Sequence, residues 1–90
     1  MKILLAEKDK SLNEILTLLL KSFKYEVIIS KSGSDTLAAA KTEIPDLVLI
    51  DTNLESNDGL EVSKSIKEDF LTAYIPIILL IDRKQVRKDL

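Results

Sequence analysis

The chain has no cysteine and no histidine among its 90 residues. Without cysteine there is no disulfide, no thiol nucleophile and no thiolate metal ligand. Without histidine there is no serine–histidine triad, no imidazole-bound zinc and no histidine to carry a phosphoryl group. Glycine and proline are scarce, two of each, which leaves no room for low-complexity segments or rich linkers. A net charge of −2 excludes the electrostatic footprint of a basic nucleic-acid binder. The longest apolar run, Ile75 to Ile81, is interrupted by Pro76, and a membrane-spanning helix takes about 20 apolar residues. The N-terminus lacks the small-residue cleavage pattern of a signal peptide, so a cytoplasmic location is expected. What is present is ordinary for a globular domain: 46% hydrophobic and 31% charged residues, which argues against disorder. The length fits one domain, of the size that buries roughly 60–65% of its unfolded surface.

Four short apolar runs alternate with amphipathic stretches. The runs are Ile3-Leu4-Leu5-Ala6, Val27-Ile28-Ile29, Leu47-Val48-Leu49-Ile50 and Ile77-Ile78-Leu79-Leu80-Ile81. The first, third and fourth are continuous, as in strands covered on both faces of a parallel sheet. Between them, Leu12, Ile15, Leu16, Leu19, Leu20 and Phe23 repeat at helical spacing, opened by Ser11-Leu12-Asn13-Glu14 as a capping box. Leu37, Ala40 and Ile44 mark a second helix, with Ser34 or Ser32 as N-cap and Pro45 as its stop. Val62, Ile66 and Phe70 mark a third, with Asp58-Gly59-Leu60-Glu61 as another capping box. A last helix is expected from Asp82. The aromatics Phe23, Tyr25, Phe70 and Tyr74 are expected to fill core edges. The alternation β-α-β-α-β-α-β implies right-handed parallel βαβ units.

In open parallel sheets, ligands bind outside the carboxyl ends of the strands. Glu7, Lys8 and Asp9 follow the first run; Asp51, Thr52 and Asn53 follow the third; Asp82 and Arg83 follow the fourth. If the first and third strands are neighbours, Glu7 and Asp51 share one cleft. Such a pair binds a hard cation through oxygen, or leaves Asp51 as a nucleophile for an aspartyl-phosphate. The plainer alternative is that these acids are N-caps or solvated turn residues. No G-x-G-x-x-G or G-x-x-x-x-G-K-[ST] follows any strand, so nucleotide binding by those loops is unsupported.

Four segments carry a family resemblance: Lys2 to Asp9, Pro45 to Asp51, Asp58 to Val62 and Ile75 to Ile78. In order and spacing they resemble the receiver domain of two-component response regulators. The resemblance implies a flavodoxin-like parallel sheet with helices on both faces, and a phosphate-accepting aspartate at Asp51. It implies a sensor histidine kinase or another signalling protein as partner. It further implies a magnesium ion held by Glu7, Asp51 and the backbone carbonyl of Asn53.

The departures from the family pattern are specific. The usual second acidic residue is Lys8. An ammonium held about 4 Å from a dication, at an effective dielectric near 20, costs roughly 8 kcal/mol, an upper figure because a lysine side chain swings away. The hydroxyl residue expected at the end of the fourth strand is Ile81, which cannot bond a phosphoryl group. The usual proline and glycine after the phosphorylation site are Glu55 and Ser56.

Three readings follow. In a degenerate receiver, Lys8 pairs with Asp51, replaces the metal's charge, and weakens magnesium-dependent phosphorylation. In a working receiver, Asp51 takes phosphate from a histidine kinase. In a plain α/β interaction module there is no phosphotransfer at all. None is an enzyme in its own right. The tail Arg83 to Lys88 is read as a solvated helix face rather than a nucleic-acid contact. By resemblance the fold continues past Leu90, so residues 1–90 read as a receiver-like domain lacking the last strand and helix. The run Ile77–Ile81 then becomes an exposed apolar edge, expected to pair with a second copy.

Overall fold

The computed structural model describes residues 1–55 and 57–81. Its centre is a parallel sheet of β1 (Lys2–Ala6), β2 (Glu26–Ser30), β3 (Leu47–Asp51) and a fourth strand at Ile77–Leu80. Between β3 and that strand lie two short strands, β4 (Asn53–Leu54) and β5 (Asn57–Asp58), paired antiparallel; the fourth sheet strand is therefore β6. Three helices make the crossovers: α1 (Lys10–Ser22), α2 (Gly33–Glu43) and α3 (Gly59–Glu68). The sheet order is β2-β1-β3-β6, so β1 and β3 are central and their carboxyl ends lie side by side.

The ladder pairs Ala6 with Ile50 and Asp51 with Leu80. Alternation then sends Leu4, Ala6, Val48 and Ile50 to one face, where they pack with Ala40 of α2, with Val62 and Ile66 of α3, and with Leu54 and Ile75. Ile3 and Leu5 point to the opposite face, beneath α1, and are equally buried. Helices therefore cover both faces, as the continuous apolar strands imply. Among the described residues no helix is long and apolar enough to cross a membrane.

Several local expectations are corrected. The N-cap of α1 is Asp9, two residues before the expected Ser11, and its Oδ1 accepts the Leu12 N–H at 2.9 Å. Of the two candidate caps of α2, Ser32 serves, accepting the Asp35 N–H. Asp58 caps α3 through the Leu60 N–H. Phe70 is outside α3. The chain turns at Asp69, whose carboxylate accepts the Leu71 N–H, while Thr72 Oγ1 bonds the Ile66 carbonyl and Lys67 Nζ bonds the carbonyls of Ala73 and Ile75. Those bonds fold the segment back to β6 and leave Phe70 83% and Tyr74 76% exposed, so these two do not fill the core. Phe23 is likewise exposed, stacked on Tyr25 at 6.1 Å. The apolar stripe of α1 is only partly used: Leu16 and Leu20 are half-buried, while Leu12, Ile15 and Leu19 stay exposed. The helix expected from Asp82, and the basic tail, lie outside the described residues.

Ile44 ends α2 in the left-handed conformation, φ 43° and ψ 64°. This costs a β-branched residue about 1–2 kcal/mol, since its Cβ crowds the backbone. Its side chain is substantially exposed, so little packing offsets the strain. Replacing Ile44 by glycine or asparagine is expected to stabilise the chain by about 1 kcal/mol, which raises the melting midpoint by roughly 4–8 °C. A thermal melt followed by circular dichroism checks this; an unchanged or lower midpoint contradicts it.

Candidate functional site

The ladder that pairs Ala6 with Ile50 places the next residues, Glu7 and Asp51, beside each other as the strands end. With Leu80 at the end of β6 and the following Ile81, they line a cavity of about 270 Å³. Lys8, Asn53, Asp9 and Leu12 complete its wall. The sequence-derived candidates Glu7, Lys8, Asp51, Asn53 and Ile81 are thus brought to one place. Asp9, read in the sequence as following the first strand, joins them, as do Leu12 and Leu80, which no chemical signal in the sequence singled out.

Glu7 is the buried member, 1% exposed. Its Oε2 accepts the Asp9 backbone N–H at 3.0 Å, while its Oε1 is buried without a hydrogen-bond partner. Burial, first, and then the neighbouring Asp51 carboxyl push its pKa up to about 7. With both groups ionised, Oε1 has no donor; a proton on Glu7 supplies one that Asp51 accepts. Asp51 has its own donor, the Asn53 N–H, 2.7 Å from Oδ1. Lys8 lies differently from the expectation. Its ammonium bonds Asn53 Oδ1 at 3.2 Å, and it takes no part in the ion pairs of the described residues, Lys2 with Glu43 and Lys41 with Asp69. The Asn53 side chain captures it at the rim, where it stays hydrated instead of being drawn in beside Asp51.

Two residues hold this geometry from outside. The buried Asn13 of α1 donates its Nδ2 to the Glu7 carbonyl at 3.0 Å, fixing the backbone that carries the carboxyl. Gly59, at the start of α3, packs against Asp51: a Cβ there would collide with the Asp51 carbonyl oxygen and stand 2.7 Å from the Thr52 Cα. Its N–H bonds the Thr52 carbonyl at 2.8 Å. The hairpin of β4 and β5 adds a cross-tie, since the Glu55 N–H bonds the Lys31 carbonyl and Ser32 bridges to Glu55.

For a hard cation, the orphaned Glu7 Oε1 and the adjacent Asp51 carboxylate supply two oxygens, the low end of what magnesium takes from protein. No group of three or more acidic, histidine or cysteine side chains suited to a metal exists among the described residues. The other charged side chains of the wall are the Lys8 ammonium and Asp9, whose Oδ1 caps α1.

The family model for the response regulator receiver domain matches residues 3–88. The alkaline phosphatase synthesis transcriptional regulatory protein PhoP of Bacillus subtilis is 35% identical over 79 residues, which is 88% of this chain and 32% of that protein. The polar-differentiation response regulator DivK of Brucella ovis is 38% identical over 72 residues, covering 79% of this chain and 58% of DivK. The chain therefore spans only part of the length of these relatives. Among solved structures, the N-terminal domain of a response regulator receiver protein from Methanoculleus marisnigri superposes with a TM-score of 0.84 at 28% identity, over 97% of this chain and 74% of that one. The receiver domain of a sensor histidine kinase from Pseudomonas aeruginosa, with magnesium coordinated in its active-site cleft, superposes at 0.83 with 26% identity, over 87% and 64%.

The raised pKa of Glu7 has a defined consequence for stability. From its ordinary 4.5 to about 7 the folded state binds the proton more tightly than the unfolded chain. Stability from neutral Glu7 is therefore full below pH 4.5 and is lost as pH rises through 7, by up to about 3 kcal/mol. Urea titrations at the two ends of that window are expected to show this fall in the native chain and its loss in Glu7→Gln; parallel curves for the two proteins contradict the assignment. Gly59→Ala is expected to cost about 1–3 kcal/mol through overpacking and to displace the Asp51 and Asn53 amide resonances. Wild-type stability in Gly59→Ala contradicts the close packing.

Proposed function

This chain belongs to the response-regulator receiver-domain family, and on that premise we propose that it acts as a degenerate receiver in phosphorelay signalling, with impaired magnesium-dependent phosphorylation at Asp51. Receiver domains are signalling modules that work with histidine kinases and other signalling proteins. The observation that carries the finer reading is the wall of the Asp51 cavity, where Lys8 and Ile81 stand in place of the acidic and hydroxyl residues that the resemblance leads one to expect. An ammonium at the rim opposes a dication, and Ile81 has no hydroxyl to bond a phosphoryl oxygen. Charge compensation of the carboxyl pair falls instead to a proton on Glu7, to the Asp9 and Asn53 amides, and to Lys8 at longer range. A receiver of this kind signals through its protein contacts in a cytoplasmic setting. A kinase or another signalling protein is the expected partner, and a second copy of the chain meets Ile77–Ile81.

A working receiver is the second reading, favoured by the unpartnered Glu7 Oε1, an oxygen free to ligate a cation beside Asp51. In that reading an Asp51 carboxylate oxygen attacks phosphorus as the P–N bond of a kinase phosphohistidine breaks, and the imidazole keeps the bonding electron pair.

Amide spectra recorded during a magnesium titration separate the two. The degenerate reading expects no saturable shift around Asp51 up to roughly 10 mM magnesium, and the appearance of one in Lys8→Asp, because the substitution adds a carboxylate and removes the ammonium. Saturable shifts of the native chain at low millimolar magnesium overturn it. A phosphate mass on Asp51 after incubation with a phosphorylated kinase supports the second reading, and none after incubation with either kinase or acetyl phosphate overturns that one.

A further inference from the structure

β2 stands at the edge of the sheet, beyond β1. Flavodoxin-like sheets keep that strand at the edge, in the order 2-1-3-4-5. The open outer side of β2 therefore belongs to the fold itself.

The free backbone of this edge is short and sharply bounded. The Glu26 N–H bonds the Met1 carbonyl, and the Ser30 carbonyl accepts the Glu7 N–H. Residues of a parallel ladder alternate in direction, so 26, 28 and 30 turn toward β1 while Val27 and Ile29 turn outward. The next outward groups on either side are in use. The Tyr25 N–H bonds the Leu20 carbonyl, and the Lys31 carbonyl accepts the Glu55 N–H. Val27 and Ile29, placed symmetrically about Ile28, are left to offer both N–H and C=O, and no strand among the described residues receives them.

Helix α1 adds a second pattern above the same edge. Val27 and Ile29 pair with Ile3 and Leu5, so their side chains lie on the face beneath α1. Ile29 lines a groove of about 320 Å³ with Asn13, Glu14, Thr17 and Leu18. Leu18 is 72% and Ile29 47% exposed. Glu14, Thr17, Leu18 and Lys21 follow the spacing i, i+3, i+4, i+7, which makes them one stripe along α1 on the β2 side. Its two ends carry opposite charges. Both are exposed, and neither joins an ion pair among the described residues. Two turns of helix, about 10 Å along the axis, keep them from pairing with each other.

We propose that β2 pairs antiparallel with β2 of a second copy about a two-fold axis at Ile28, with the two α1 helices side by side above the joined sheets. In that register Val27 faces the partner's Ile29 twice over, each pair exchanging both N–H···O bonds, so every free outward group is matched. Ile28 meets the partner's Ile28 as a closely spaced pair without hydrogen bonds. Leu18 and Ile29 of both copies close over the axis, and Glu14 at one end of its stripe meets the partner's Lys21 at the other. Like charges are not opposed: Glu26 meets the partner's Ser30, and Lys31 meets the partner's Tyr25. A shift by two residues in either direction spends groups already bonded at Tyr25 or Lys31. A copy of the chain therefore matches the edge in backbone, apolar surface and charge at once, and the two-fold pair closes at two. The contact is small, so the dimer is weak. None of its residues belongs to β6 or lines the Asp51 cavity.

Sedimentation of the native chain from roughly 10 µM to roughly 1 mM is expected to move from monomer to dimer, the range of a small interface. Glu14→Lys and Lys21→Glu each place like charges across the axis and are expected to push this transition to higher concentration at least several-fold. The double variant Glu14→Lys with Lys21→Glu restores opposite charges and is expected to recover the native transition. The chain has no cysteine, so an introduced one is unique. Oxidised alone, Ile28→Cys is expected to form an intermolecular disulfide, because a pair without hydrogen bonds brings the Cβ atoms within reach. Glu26→Cys, the more exposed position, is expected to cross-link poorly, since its opposite number is Ser30. A monomer throughout, association that ignores the single charge variants, a double variant as weak as the singles, or Glu26→Cys cross-linking as efficiently as Ile28→Cys overturns the proposal.

Discussion

Glu7 and Asp51 stand at the ends of neighbouring parallel strands, and one of them is buried. Like charges at such separation in a low-dielectric setting cannot both stay ionised without compensation. The surrounding residues answer that constraint in order of depth. Deepest is the proton favoured on Glu7, whose pKa is pushed up to about 7. Next come two backbone amides two residues along the chain from each acid: Asp9 N–H on Glu7 and Asn53 N–H on Asp51. Outermost is the Lys8 ammonium, held off the carboxylates by the Asn53 side chain. Protonation turns a buried carboxylate into a neutral group with a small burial cost, whereas a lysine would have to shed its hydration and stay charged. That difference favours a proton on the buried Glu7 and the ammonium at the rim.

The same constraint explains residues that never touch the cavity. A carboxyl pair whose energy depends on separation needs a stiff backbone. Asn13 ties the Glu7 carbonyl to α1, and Gly59 lets α3 begin directly against the Asp51 main chain. The hairpin between β3 and α3 is pinned in turn to the loop after β2 through Glu55 and Lys31. Any change that alters charge at Asp51 acts first on the Asn53 N–H contact, and through Asn53 on both Lys8 and the hairpin.

The fold was legible because apolar runs of four or five residues alternate with helical stripes, and only parallel βαβ units satisfy that pattern compactly. The clustering of Glu7, Lys8, Asp51 and Asn53 followed, since strand ends converge once the order is known. What escaped was local. Asp9 displaced Ser11 as a cap because either satisfies the first-turn amides, and sequence does not rank them. β4 and β5 have two residues each, too few for a period of two to register. Phe70 continues the stripe of Val62 and Ile66, yet α3 stops before it because Lys67, Asp69 and Thr72 hold the turn through backbone bonds. The partner of Lys8 was missed for a related reason: a flexible ammonium near three oxygen-bearing side chains is placed by small differences in hydration.

The two faces of the sheet are unequal, and this shapes how the chain meets others. On one face, strand residues interlock with α2, α3, Leu54 and Ile75 in one continuous cluster. On the other, α1 shields Ile3 and Leu5, while Leu12, Ile15, Leu19 and Ile78 remain in contact with water. Apolar burial is the main favourable term in folding, at about 25 cal/mol per Å². Among the described residues the closed face therefore carries most of the stability. Leu12, Leu80 and Ile81 border both this open surface and the Asp51 cavity.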